Sequence, residues 1–145
     1  MKRLALCFLG LTLLTGCGGK SAGPPRYDVS GAVTFDGKPV PAGVLMFRPD
    51  ASKGNSGPAT TIRIVDGAFD TQVAGMGVVP GEHKVTITGY DGMTDTANEL
   101  PDGRPLFRRY EEQATIGEEA TTIDFDVPKS ASEPAKNQRR RRSDV

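Results

Sequence analysis

The chain has no tryptophan, one histidine (His83) and two cysteines (Cys7 and Cys17) in 145 residues. Each shortage removes a class of chemistry. A single histidine with no serine elbow cannot be read as a Ser-His-Asp system. No HxxE or HExxH pattern offers zinc ligands, so no metal and no other cofactor is expected. Beyond Cys17 there is no cysteine, hence no disulfide and no thiolate nucleophile in the body of the chain. Long apolar runs are missing too. The longest uncharged greasy stretch, Leu4–Leu14, falls short of the ~20 residues that a bilayer-spanning helix needs. These absences leave no catalytic set to assign, and an enzyme is not expected.

What is present begins with that short stretch. Lys2 and Arg3 precede it, and Leu14-Thr15-Gly16-Cys17 closes it. A positive start, an apolar run of about 7–15 residues and small residues before a cut describe a secretory leader. The order of these parts resembles the lipobox of bacterial lipoproteins. The resemblance implies cleavage before Cys17, a lipid on that cysteine and attachment to a membrane of the cell envelope. Gly18, where an Asp would mark retention, favours the outer over the inner membrane. Cys7 would leave with the leader, so the exported domain would be held by its core alone.

Four parts follow from composition. Residues 1–16 form the leader, and 17–26 a small, polar, Pro-containing tether. Residues 27–127 form one domain, and 128–145 a tail with almost no large apolar residue, expected to be disordered. From residue 17 to 127 there are ten basic and sixteen acidic residues. The tail holds six basic residues, including Arg139, Arg140, Arg141 and Arg142, against two acidic ones. An acidic body with a basic tail is not a nucleic-acid domain, which carries its basic face on the folded part.

Within 27–127 the hydrophobic period is two. Val29, Gly31, Val33 and Phe35 alternate with polar residues, as do Val85 with Ile87 and Ile123 with Phe125 and Val127. Such alternation marks half-buried strands. Asp36-Gly37 and Asp66-Gly67 are two-residue hairpin signals. The pattern predicts strands near 28–35, 43–48, 60–65, 68–72, 82–89, 112–116 and 121–127. Seven short strands without a helical stretch indicate an all-β, seven-stranded antiparallel sandwich, with a closed barrel as the alternative. Phe35, Phe47, Phe69 and Phe125 are the candidate core aromatics, and Gly31 inside a strand marks a bulge or a close approach.

The run from Tyr27 to Asp50, with Val29-Ser-Gly31-Ala-Val33 and Asp36-Gly-Lys-Pro-Val40, resembles the opening of bacterial carboxypeptidase regulatory-like (transthyretin-like) domains. Asp66-Gly-Ala-Phe69, Pro80-Gly-Glu-His-Lys-Val85 and the closing Ile123–Val127 extend the resemblance over about residues 27–127. Tyr110 stands where that family has P-x-x-Y, though proline is missing. The resemblance implies a prealbumin-like sandwich, and it carries no catalysis. Hydroxyisourate hydrolases of the same fold rely on several histidines and a Tyr-Arg-Gly-Ser ending that this chain lacks.

Binding features are few. His83 shares parity with Val85 and Ile87 and should face the core as a packed histidine. The acidic run Asp91–Asp102 is oxygen-rich but lacks EF-hand spacing, so it reads as a solvated loop. Long loops on sandwiches often carry function, which makes 90–111 the candidate partner surface, through Tyr90, Arg104, Phe107, Arg108 and Tyr110. The plainer reading is a loop packed by Leu106, Phe107 and Tyr110. Arg139–Arg142 suit an anionic lipid or polymer surface, or simply a solvated tail. Two function classes stand. One is a non-catalytic, membrane-anchored envelope domain that contacts other proteins. The other is a carbohydrate- or ligand-binding module, for which Tyr27, Tyr90 and Tyr110 are the available rings.

Overall fold

The computed structural model describes residues 23–132; the leader, Cys17 and Arg139–Arg142 lie outside the described residues. The described chain is all β. Its strands are β1 (Val29–Phe35), β2 (Lys38–Pro39), β3 (Ala42–Pro49), β4 (Thr60–Val65), β5 (Ala68–Asp70), β6 (Gly81–Tyr90), β7 (Tyr110–Ile116), β8 (Thr121–Thr122) and β9 (Phe125–Val127). Short 3-10 turns span Ala51–Lys53, Thr96–Asn98 and Lys129–Ser132. No helix among the described residues is long and apolar enough to cross a membrane.

The strands join into one curled sheet in the order β2-β1-β5-β4-β3-β6-β7, antiparallel along the whole path. The longest seam runs between β3 and β6, from Ala42 opposite Tyr90 to Pro49 opposite His83. Period-two alternation sends Leu45, Phe47, Ile62, Ile64, Val85 and Ile87 to one dry face. Val29 and Val33 of β1 and Phe125 and Val127 of β9 join the same core. Phe47, Phe69 and Phe125 form a triangle with ring centroids 5.9–6.2 Å apart. That spacing suits tilted aromatic pairs, each adding about 0.5–1.5 kcal/mol beyond area burial. Phe35 stands apart from this triangle and pairs with Phe107 instead, at 5.1 Å.

Both Asp-Gly hairpins form with positive φ at each central residue: Asp36 and Gly37 between β1 and β2, Asp66 and Gly67 between β4 and β5. This is the left-handed turn that matches strand twist. The second turn docks onto the first strand pair. Val33 N donates to Gly67 O, and Gly67 N donates to Val40 O, both at 2.8 Å.

The closing segment departs from the expected continuous antiparallel strand 121–127. It is split into β8 and β9, and both pair with β1 in parallel. Between them the backbone of Ile123 presses against Gly31, where any Cβ would collide with the Ile123 carbonyl. Asp124 then supplies a side-chain acceptor in place of a ladder carbonyl, its Oδ1 taking the Ala32 N–H at 2.7 Å. The packed chain also runs past the expected boundary at 127. Ala131 packs on the core, and its carbonyl accepts from Arg108 N at 3.1 Å.

Parallel pairing has a geometric consequence. β1 and β9 run the same way, so the chain enters at one end of the sheet and leaves at the other. The near end gathers the incoming segment 23–28 and the connections 50–59, 71–80 and 117–120. The far end gathers the two Asp-Gly turns, the long connection 91–109 and Lys129–Ser132.

Gly31→Ala tests the close approach at β8/β9. It should cost about 2 kcal/mol or more, a fall in Tm of roughly 8 °C or more for a domain of this size. Gly117→Ala is the matched control, because no atom lies within 4 Å of a Cβ built there and its φ is outside the left-handed region, and its Tm should stay close to the parent. Equal Tm values for the two variants would contradict this packing.

Candidate functional site

The far end is built around the connection between β6 and β7. This connection is a folded excursion rather than a slack loop. Asp91 N donates to Arg104 O, Gly92 N to Asp102 O, and Asp95 and Leu100 exchange both backbone bonds. Its three aspartates are engaged within the chain. Asp91 Oδ1 accepts from Met93 N and Arg104 N at 3.0 and 2.9 Å. Asp95 caps the turn Thr96–Asn98 and takes a bond from Asn98 Nδ2 at 2.8 Å. Asp102 pairs with Arg63 of β4 at 2.6 Å. Such side-chain bonds to nearby N–H groups are what Asp does in turns. Among the described residues, no group of three or more His, Cys, Asp or Glu is placed to hold a metal ion.

The structure separates the five residues expected to share a partner surface. Phe107 is 4% exposed and belongs to the core. Its ring fills the space beside Gly89, where a Cβ would lie within 3 Å of the ring edge. Phe107 is therefore a plug under the loop and not part of a surface. Leu106 and Tyr110 pack against the same core. Arg104 is exposed, its guanidinium 3.9 Å from Asp95. Arg108 is exposed beside the turn Lys129–Ser132, where the tail begins. Tyr90 is half-buried at the far end of β6 and bridges to Pro105.

Register decides what Tyr90 and Tyr110 can do together. On β6 the odd residues His83, Val85 and Ile87 face the core, so Tyr90 lies on the outer face. Tyr110 stands opposite Ile87 and shares its inner parity. The two rings lie on opposite faces of the sheet. Tyr27, bridged to Val78, sits at the near end. No shared aromatic platform forms from these three residues.

What remains at the far end are two shallow hollows that meet at Asp91. One, of about 370 Å³, is lined by Phe35, Lys38, Pro39, Pro41 and Leu106. The other, of about 530 Å³, is lined by Met93, Thr94, Asp95, Thr96 and Arg104. Met93, 70% exposed at the tip, was not singled out in the sequence. Its signal is weak, since a lone Met between Gly and Thr reads as loop filler. The hollows are open, mixed in charge and lack a nucleophile–base pair.

His83 takes the inward position expected of it, 1% exposed. Its Nδ1 lies 2.9 Å from the Gly81 carbonyl and its ring meets Phe47 edge-on at 6.4 Å. Nε2 has no hydrogen-bond partner. The ring is thus packed within the core beside Phe47.

Asp50 is the buried carboxylate, 4% exposed, at the opposite end of the sheet. Ser52 Oγ donates to it at 2.7 Å, Ser52 N at 3.0 Å, and Lys84 Nζ lies 3.4 Å away. The hydrogen bond from the Ser52 hydroxyl, then the Ser52 N–H and Lys84, hold its carboxyl below the ordinary value, while burial pulls the other way. Asp50 also shapes the turn after β3, its backbone carbonyl accepting from Lys53 N and Asn55 N.

No family model and no curated protein matches this chain.

Two outcomes follow. Phe107→Ala should lower stability by about 3–5 kcal/mol, the range for losing a buried aromatic. Arg104→Ala and Met93→Ala should each stay within about 0.5 kcal/mol; urea unfolding measures all three. For Asp50, a depressed folded pKa means stability that is present above its ordinary value and lost as pH falls through the folded value. Asp50→Asn should thus melt below the parent at neutral pH, and the gap should close on acidification below about pH 4. A gap that is constant with pH would contradict the ionic role.

Proposed function

We propose that the protein is a membrane-anchored lipoprotein of the cell envelope, with lipid on Cys17 and a non-catalytic domain that contacts another envelope protein through its far end. The curled sheet is read as a prealbumin-like sandwich of the carboxypeptidase regulatory-like kind. Supporting this are a single apolar core shared by β1, β9 and the β3–β6 seam, and the two Asp-Gly hairpins at the positions the resemblance implies. The outer membrane is favoured by Gly18.

The observation that carries the functional reading is the opposed placement of the two ends of the described domain, residues 23–28 and Lys129–Ser132. A tether leading into Arg26 and Tyr27 holds the near end toward the membrane. The connection 91–109 then faces away from it, together with Arg104, Arg108, Met93 and the root of the basic tail. The far end has open, charged hollows and no assembled reactive groups, which suits recognition rather than reaction. Arg139 follows Ser132 by seven residues in the sequence, and the basic run Arg139–Arg142 would favour an acidic partner.

In cells, the parent protein should incorporate a fatty-acid label and Cys17→Ser should not. A photo-cross-linker at Met93 or Arg104 should capture one protein partner, with less captured when the chain is cut after Ser132. Labelling of Cys17→Ser would refute the anchor. Equal capture from a cross-linker at Lys53, on the near end, would refute the far-end contact.

A further inference from the structure

The near end carries a feature that anchoring alone does not use. From Thr71 to Gly81 the chain reads Thr-Gln-Val-Ala-Gly-Met-Gly-Val-Val-Pro-Gly, with no charged residue, in a sequence that is 25% charged. Val78 and Val79 of this stretch are buried. Val73 is not: it is 86% exposed, the most exposed large hydrophobic side chain among the described residues, and Met76 is 42% exposed. Isolated exposed apolar residues are ordinary. A contiguous uncharged run with two large ones held outward is not.

The turn is held rather than loose. Thr71 N donates to Val29 O, and Thr71 Oγ1 accepts from Val29 N at 2.8 Å. Met76 N donates to Thr71 O at 3.0 Å, and Gly75 N to Gln72 O at 2.9 Å. Thr60 Oγ1 fixes the exit by donating to Gly77 O. Val73, Ala74 and Met76 together form one wall of an open, largely apolar cleft of about 440 Å³, completed by Ile62 of β4 and Phe69 of β5.

The incoming chain runs directly beside this turn. Tyr27 and Val78 exchange backbone hydrogen bonds of 2.8 and 2.9 Å, and Arg26 Nη1 donates to Gly77 O at 3.3 Å. Cys17 lies six residues before Gly23. Six residues reach about 20 Å at most, whatever their conformation. A lipid on Cys17 would therefore bring a bilayer within that distance of the segment leading into the turn. Asp28 and Asp70 line one hollow at the same end with Gln72 and Ala120, and Glu118 and Glu119 are exposed in the connection just before it. That charge disfavours a strongly anionic surface.

We propose that Val73, Ala74 and Met76 rest on a neutral phospholipid surface, forming a second, weak contact that orients the anchored domain with its far end outward. The proposal rests on the anchoring of Cys17. Anchoring supplies the local concentration, so a contact too weak to recruit the protein alone suffices to orient it.

The lipidated full chain in vesicles of zwitterionic phospholipid gives the test. With Cys7 removed and Cys17 acylated, Val73→Cys or Met93→Cys is the sole free thiol and takes an environment-sensitive fluorophore. The expected result is a blue-shifted emission at position 73, mostly removed by a lipid-phase quencher. Emission at position 93 should be unshifted and unquenched. Adding Met76→Asp should reduce quenching at 73 while the protein stays with the vesicles. Raising the anionic lipid fraction should reduce it too. Three outcomes would overturn the proposal. One is retention on vesicles with no quenching at 73. Another is equal quenching at 73 and 93. The third is a shift at 73 that arises without lipid as protein concentration rises, which would make the occupant a second copy. Failure of the protein to remain with vesicles would instead strike the anchoring itself, and the proposal with it.

Discussion

β1 is the strand on which the remaining architecture depends. It is paired on both sides in opposite senses: antiparallel to β5, through Ser30 with Asp70 and Ala32 with Ala68, and parallel to β8 and β9. The second pairing is possible because residue 31 is glycine and because Asp124 lends a carboxylate oxygen to Ala32 N. A side chain at residue 31 would push the closing segment away. The core would then lose Phe125 and Val127, and the aromatic triangle with Phe47 and Phe69 would open.

From that one pairing follows the polarity of the molecule. A closing strand antiparallel to β1 would bring both ends of the domain to the same side, and tether and tail would emerge together. The parallel strand separates them. The near end collects the incoming segment 23–28, the uncharged turn 71–77 and the buried carboxylate of Asp50 with its Ser52 partner. The far end collects the folded excursion 91–109, Arg108 and the root of the tail.

Much of this was legible in the sequence. Alternation placed most strands to within two residues, and Asp36-Gly37 and Asp66-Gly67 gave the turns, because their chemistry is local. The split of the last strand was not legible. Thr121–Val127 alternates without interruption, and only the tertiary demand at Gly31 and Ala32 turns Asp124 from a strand residue into a substitute acceptor. For Phe107 the sequence left two readings, a partner-surface residue among Arg104, Arg108 and Arg109 or a ring packing the loop with Leu106 and Tyr110, and the second is the one that forms. The choice could not be made locally, because the space that receives the ring is created by Gly89, eighteen residues earlier. The opposition of Tyr90 and Tyr110 depends on the register of β7 against β6, which no local pattern fixes. Burial of Asp50 likewise depends on Lys84 from a distant strand.

The polarity claim has a direct measurement. Paired spin labels on Arg26→Cys and Ser132→Cys, in a chain lacking residues 1–16 and carrying Cys17→Ser, report the separation of the two domain ends by dipolar spectroscopy. β1 has seven residues, each rising ~3.3 Å, so the parallel arrangement predicts a narrow distribution centred at roughly 20 Å or beyond. A distribution centred near the ~5–10 Å spacing of neighbouring strands would place both ends together and contradict the account.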